Sequence, residues 1–306
     1  MSHAVVLAPA EAGDDMSMNR TPIEWALNPD GTQGYSWNPI TGCLKRCPYC
    51  YAMKLAKGRL RSRYLVGGEL APLSQDGLYS TSERDLRLEA VHDPFYPRLR
   101  PERLRELAYW TKGKRDVTKP KGIFVCDMSD LFGMGIPEEW TRRVLEVIKR
   151  NPQHRFYLLT KQPQNLAKFS PFPDHCYVGV TATDRLSFNM AIHELLKVEA
   201  KVKYISFEPL LFNPFEPPPS IPKLDDKDIL LSTIKWVIIG AQTNPYKPPK
   251  IEWVREIIEA CDKAGIPVFL KNNLGWPRLS DAGAMPFYKR LPSGTMELRQ
   301  EMPNVK

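Results

Sequence analysis

Three cysteines, Cys43, Cys47 and Cys50, stand in the segment WNPITGCLKRCPYCYAMKLAKGRLRSR with C-x3-C-x2-C spacing, while Cys126, Cys176 and Cys261 are scattered. Six cysteines in 306 residues are too few for a disulfide framework, and closely spaced thiols in a reducing compartment serve as metal ligands or redox centres. Three thiolates on a short loop can hold three irons of a cubane and leave the fourth without a protein ligand. Most electron-transfer clusters take four cysteines, which closes the shell. An open iron can instead chelate the amino and carboxylate groups of a methionine moiety. The alternative is a zinc ion that fastens the loop, which needs a fourth ligand. None lies adjacent; the nearest later candidates are His92 and Cys126.

Such a loop needs a scaffold, and the rest of the chain predicts one. Short apolar runs at 122–128, 155–161, 176–183, 203–210, 235–241 and 266–271 are rich in β-branched and aromatic residues. Several are apolar at consecutive positions, as strands buried on both faces are. Between them, IPEEWTRRVLEVIKR reads as a helix with Pro137 in its first turn, acids at its start and bases at its end. A second helix is expected after Asp184 as N-cap, and a third from Ile251 to a stop at Gly265. Strand and helix alternate, so the expected fold is α/β: a full or partial (βα) barrel of parallel strands, or an open doubly wound sheet. An early strand at 35–39 would precede the cysteine loop, and a helix is expected from Pro101 to about Trp110.

In such folds the carboxyl ends of the strands carry function, and here they carry polar residues. Asp127, Ser129 and Asp130 follow the strand from Ile123; Lys161 ends the next; Thr181, then Ser206 and Glu208, end the following two. Gly240 and Gln242 follow WVIIG, and Lys271 follows VFLK. A carboxylate such as Glu208 at the end of a buried strand is costly unless paired, and Lys161 or Lys271 would offset the cost. It reads as a ligand contact or as a structural ion pair. Asp130 reads as a ligand contact or as a cap of the following turn. Gly240 would let the backbone approach a ligand, or serve a turn. Cys126, Cys176 and Cys261 read as small buried apolar residues.

The cysteine spacing, with aromatic Tyr49 just before the last cysteine, resembles the signature of the radical S-adenosylmethionine superfamily. The features TPIEW (21–25), WNPITGC (37–43), CYA (50–52), MSDLF (128–132), LLTK (158–161), SFEPLL (206–211) and WVIIG (236–240) resemble a group of phage-associated radical-SAM-like proteins of unassigned function. The gap between the first two cysteines is the superfamily's, shorter than is usual in that group. The resemblance implies a radical-SAM barrel and a [4Fe-4S] cluster on Cys43, Cys47 and Cys50. It also implies reductive cleavage of S-adenosylmethionine to a 5'-deoxyadenosyl radical. Tyr49 would lie near the adenine, and Ser129 and Asp130 would stand where the amino group of S-adenosylmethionine is held, although the usual glycine-glycine-glutamate form is missing. Lys161, Thr181, Ser206, Glu208, Gly240 and Gln242 are the further expected cofactor contacts.

A net charge of +8 favours acidic partners, which include nucleic acids and acidic electron donors such as ferredoxin or flavodoxin. Lys54, Lys57, Arg59, Arg61 and Arg63 follow the last cysteine directly. A charge run is ordinarily a solvated face. Beside a cluster it could also steer a donor, or bind phosphates together with Tyr51, Tyr64 and the arginines of 84–105. A non-catalytic nucleic-acid-binding protein with a zinc-fastened loop is the rival from another class. No apolar run approaches the ~20 residues that span a bilayer. The first residues lack a secretory pattern, so the expected location is cytoplasmic. The expected organisation is a tail over 1–20, one domain over 21–275 and a C-terminal extension over 276–306. The domain would carry an irregular basic segment at 54–120 and a Pro-rich loop at 212–222.

Overall fold

The computed structural model describes residues 18–72, 83–109, 119–216, 232–275, 280 and 284–304. All six expected strand regions form strands. With Asn19–Arg20 (β1) and Tyr35–Trp37 (β2), they are Gly122–Val125 (β3), Arg155–Thr160 (β4), Cys176–Thr181 (β5), Val202–Phe207 (β6), Trp236–Ile239 (β7) and Val268–Leu270 (β8). They pair in chain order as one eight-stranded sheet. Every neighbouring pair from β2 to β8 is parallel, and β1 is antiparallel to β2.

The barrel does not close. β1 occupies one edge, and beyond β8 the C-terminal residues bridge antiparallel, with Gln300 opposite Phe269. Leu270 N–H donates to Arg299 O and Glu301 N–H to Val268 O. Each edge is thus satisfied by a short antiparallel segment, which removes the drive for the edges to find each other. The sheet therefore takes in residues from both flanks of the expected 21–275 domain: Met18 is buried and Asn19–Arg20 is strand β1, while residues 299–301 cover β8.

Alternation along the strands sorts side chains to two faces. Ile123, Val125, Phe156, Leu158, Val178, Val180, Ile205, Phe207, Val237 and Ile239 share one cluster with the helices Glu138–Lys149 (α2), Arg185–Leu196 (α3) and Ile251–Ala264 (α4). The other face carries Phe124, Tyr157, Tyr177, Tyr204, Trp236 and Phe269 around Trp25. The three crossover helices named lie on one face, as in a partial barrel, and among the described residues no helix covers the other face as a doubly wound sheet would require. Trp25 plugs the opposite face, its ring 4.9 Å from Phe124, 5.7 Å from Tyr157 and 6.0 Å from Trp236.

The helices form as their sequences predict. Asp184 caps α3 with a full capping box through Ser187, and Gly265 ends α4 in the left-handed conformation. The expected helix from Pro101 is a 3-10 turn to Arg105 continued by Glu106–Tyr109, and Trp110 lies outside the described residues. Of the Pro-rich stretch, 217–222 also lie outside them.

The basic segment after the cysteines is more regular than expected. It includes Tyr51–Lys57 (α1), a turn of helix at Arg61–Leu65 and the helix Glu83–His92. Arg98–Leu99 is the centre of a three-stranded antiparallel sheet with Ile40–Thr41 and Glu69–Leu70. Arg98, Arg100 and Arg103 are buried. Their guanidinium groups donate to the carbonyls of Ala90 and Val91, of Val66 and Tyr64, and of Asn38 respectively. Tyr64 is buried against Arg100. The expectation that Tyr64 and the arginines of 84–105 line a nucleic-acid groove therefore fails for these four: a guanidinium with five donors satisfies carbonyls at helix ends and in loops.

Candidate active site at the carboxyl ends of the strands

The cysteine loop leaves the strand Ile40–Thr41 through Gly42. Gly42 has φ +85°, and a Cβ there would stand 2.5–2.6 Å from the carbonyl oxygens of Tyr96 and Phe95, so only glycine fits. Its N–H donates to Met128 O and Cys43 N–H donates to Phe95 O, both at 3.0 Å. Ser129 Oγ donates to Gly42 O at 2.5 Å. Inside the loop Arg46 pairs with Asp93, whose other oxygen accepts from Phe95 N–H at 2.9 Å. Cys50 caps α1, its Sγ accepting from Met53 N–H at 3.3 Å. The loop is thus held by the strand end on one side and by residues 93–96 on the other.

Cys43, Cys47 and Cys50 are free, partly exposed and line one cavity of about 230 Å³ at the carboxyl ends of the parallel strands. Burial pushes the Cys43 thiol up to about 12, with Asp130 and the other two thiols acting in the same direction, and burial also raises Cys50. Thiols in such a place stay protonated until a metal replaces the proton. Three thiols facing one space, one of them already accepting a backbone N–H, form a donor set that suits a thiophilic metal centre. Among the described residues no three His, Cys, Asp or Glu side chains gather around one point where a single ion could sit. A cluster spreads its thiolates over different irons and does not need that convergence. The fourth ligand that zinc would need does not come from His92, which is not part of the cavity wall.

Cys126 also reaches the cavity wall. It is only 3% exposed and has φ +60°. Burial raises its thiol, and its chief charged neighbours are Asp127, Asp130 and Arg103 rather than the three loop cysteines.

The strand-end residues divide into two groups. Tyr49, Ser129, Asp130, Lys161, Thr181, Glu208 and Gln242 line the cavity; Ser206 and Gly240 do not. Tyr49 OH lies 3.3 Å from Thr183 Oγ1, and burial raises its phenol. Asp130 is a cap: Oδ1 accepts from Phe132 N–H and Thr160 Oγ–H, and Oδ2 accepts from Lys161 N–H. It ties the β3 loop to the end of β4, and Oδ2 keeps one further acceptor site. Lys161 Nζ is 3.4 Å from Thr181 Oγ1, and its carbonyl accepts from Lys45 Nζ at 2.8 Å. Gln242 Nε2 donates to Pro245 O within a hairpin.

Glu208 is held by three donors. Lys271 Nζ lies 2.6 Å from Oε1, while Oε2 accepts from Trp25 Nε1 at 2.8 Å and from Ser206 Oγ at 2.9 Å. Burial opposes both charges, but each offsets it for the other: the carboxyl is held below its ordinary value and the ammonium above its own. A Cβ on Gly240 would come within 3.0 Å of Lys271 Cδ and 3.1 Å of Glu208 Cγ. Ser206 and Gly240, expected as cofactor contacts, therefore serve Glu208, because the first is fully buried beneath it and the second leaves it room.

Trp25 carries no chemical signature in the sequence; a tryptophan beside Glu24 and Ala26 reads as core. Only a contact across 183 residues turns its N–H to Glu208. Asp127, expected among the polar strand ends without a role of its own, also lines the cavity. Its carboxylate accepts from Asn38 Nδ2, burial raises its pKa, and its carbonyl accepts from Tyr51 OH at 2.7 Å. A larger hollow of about 1170 Å³ lies at the opposite, amino ends of the strands, against the C-terminal segment. It contains none of the cysteines, so the smaller cavity is where the chemical groups converge.

No described helix is long and apolar enough to cross a membrane. No curated protein matches the chain. Among solved structures it is similar to a spore photoproduct lyase complexed with a dinucleoside spore photoproduct, at 10% identity and a TM-score of 0.41, over 97% of this chain and 80% of that one. That likeness is too loose to bear on the site. Residues 20–289 match the family described as "Protein of unknown function (DUF5131)", and over that span, most of its length, the chain belongs to this family.

Proposed function

We propose that this chain is a radical S-adenosylmethionine enzyme. The observation that carries the reading is that three cysteines with C-x3-C-x2-C spacing face one cavity at the carboxyl ends of parallel strands. Cys43, Cys47 and Cys50 would hold a [4Fe-4S] cluster there, which would supply the one electron that splits a C–S bond of S-adenosylmethionine into methionine and a 5'-deoxyadenosyl radical able to take hydrogen from a substrate.

The chain's own residues have separable tasks in this reading. Cys43, Cys47 and Cys50 hold the cluster, and Ser129, Asp93 and Gly42 hold their loop. Tyr49, with its hydroxyl at Thr183, forms the wall for the adenine. Asp130 has acceptor capacity left for the ammonium of the methionine moiety, a charge-assisted contact. Lys161, Thr181 and Gln242 supply donors and acceptors at neighbouring strand ends. The Glu208–Lys271 pair and Trp25 close the cavity floor, and Trp25 excludes water from beneath it. The electron comes from outside, from an acidic donor such as a ferredoxin or flavodoxin.

Anaerobic purification with metal analysis tests the reading. The wild type should carry about four irons and as much sulfide per chain. Cys43→Ala, Cys47→Ala and Cys50→Ala should each lose most of both, while Cys126→Ala keeps them. Dithionite with S-adenosylmethionine should yield 5'-deoxyadenosine from the wild type and none from Cys47→Ala. Stoichiometric zinc without iron, or iron loss in Cys126→Ala equal to that in Cys47→Ala, would overturn it. The zinc result would favour the rival, a nucleic-acid-binding protein with a structural metal.

A further inference from the structure

We infer that the exposed basic and aromatic side chains leading from the cavity mouth along α1 form a track for single-stranded nucleic acid. This names a substrate class for the proposed function and rests on that reading for the chemistry, not for the binding. Tyr51, Lys54 and Lys57 recur at three-residue intervals and so share one helix face, and all three are exposed. Arg59, Arg61 and Arg63 follow, also exposed. From Tyr51 to Gly68 the chain contains no aspartate or glutamate, so the stretch carries no acid of its own to offset these charges.

Tyr51 is the independent observation. It lines the cavity and its hydroxyl is fixed to Asp127 O at 2.7 Å, yet the residue remains 49% exposed. An aromatic ring anchored at the mouth of a cavity is a stacking surface. Lys45, exposed and tethered to Lys161 O, adds a cation on the same rim. Cations spaced along a surface and a ring beside them are the two elements with which proteins hold a single strand, phosphates on the first and a base on the second. An acidic protein would use the cations but has no need of the ring.

The test is the binding of fluorescein-labelled mixed-sequence 12-mers, one of RNA and one of DNA, to the full-length protein by anisotropy over a range of salt. Log affinity should fall linearly with log salt, by about 0.7 for each phosphate neutralised. Lys54→Glu/Lys57→Glu/Arg61→Glu should weaken binding at least thirty-fold and flatten that slope by about 2. Tyr51→Ala should cost roughly ten-fold, and Tyr51→Phe, which keeps the ring, less than two-fold. A control on the helical face of the sheet, Lys149→Glu/Lys263→Glu, should stay within about three-fold. Wild-type protein stripped of metal with a chelator should bind as the untreated protein does, so failure of the cluster reading and failure of this one can be told apart. Preference for either 12-mer supports the track and identifies its polymer. The inference is overturned if the control loses as much as the track variant, or if Tyr51→Ala binds as Tyr51→Phe does. It is also overturned if polyglutamate competes as well as unlabelled oligonucleotide, which would mark a surface for acidic protein.

Discussion

Replacing Lys271 by methionine would remove the ammonium 2.6 Å from Glu208 while keeping a side chain of similar length. The two side chains are 17% and 18% exposed, so solvent screens the pair only in part. Stranding one partner of a fully buried pair costs about 3–5 kcal/mol. Here the carboxylate keeps its bonds from Trp25 and Ser206, which places the expected loss at about 2–3 kcal/mol at pH 7. Glu208→Gln, which strands Lys271 instead, should cost about 2 kcal/mol. The double variant should cost less than the sum, by a coupling of about 1–3 kcal/mol. The pH dependence has a definite sign. The Glu208 carboxyl lies below its ordinary value of 4.5 in the folded chain, so the stabilisation is full above that value and is lost as pH falls through the folded one. Without Lys271 that carboxyl should rise, and the gap between variant and wild type should narrow in acid. Urea unfolding, followed by circular dichroism and tryptophan fluorescence at pH 7 and pH 5, measures these differences. If Lys271→Met costs under about 1 kcal/mol, or if the single effects add within about 0.5 kcal/mol, Glu208 is not held in the way described.

His154 predicts a second pH effect. It is buried, and its Nδ1 accepts from Lys121 N–H at 3.2 Å; burial, with Lys121 and His175 nearby, lowers its pKa from 6.5 to about 4. Stability should be full above 6.5 and fall as the unfolded chain takes the proton, by roughly 2 kcal/mol between pH 7.5 and pH 5; His154→Asn should remove that dependence in the same urea series. Gly42→Ala should destabilise the chain by about 2 kcal/mol or more, because the new Cβ meets backbone carbonyls that cannot swing aside; a shift of the urea midpoint corresponding to less than about 1 kcal/mol would mean that the turn adapts.

Much of the scaffold was legible because it is written in local periodicity. Runs such as RFYLLT and CYVGVT are apolar at successive positions, and both are strands buried almost throughout. Pro137, Asp184 and Gly265 bound helices that form within a residue of where they were expected. The division of labour among the polar strand ends was not legible. Lys161 and Lys271 were equal candidates to pair with Glu208, and nothing local distinguishes them. Asp130 read equally as a cap and as a ligand contact; the contacts from Phe132, Thr160 and Lys161 show the cap and leave an acceptor site on Oδ2. The arginines at 98, 100 and 103 read as phosphate contacts, because a sequence does not reveal which carbonyls at helix ends and in loops will need a side-chain donor.

The chain's sequence by itself determined the repeating strand and helix units, the triplet of cysteines and the run of positive charge behind it, since each depends on residues within a few positions of one another. Tertiary structure decided that the sheet stays open, with β1 and residues 299–301 on its edges. It also brought Trp25 to Glu208 across 183 residues and kept Tyr51 at the cavity mouth while burying Tyr64. Those outcomes turn on which distant backbone and side-chain groups meet, and hydrogen-bond satisfaction between remote segments leaves no periodic trace along the chain.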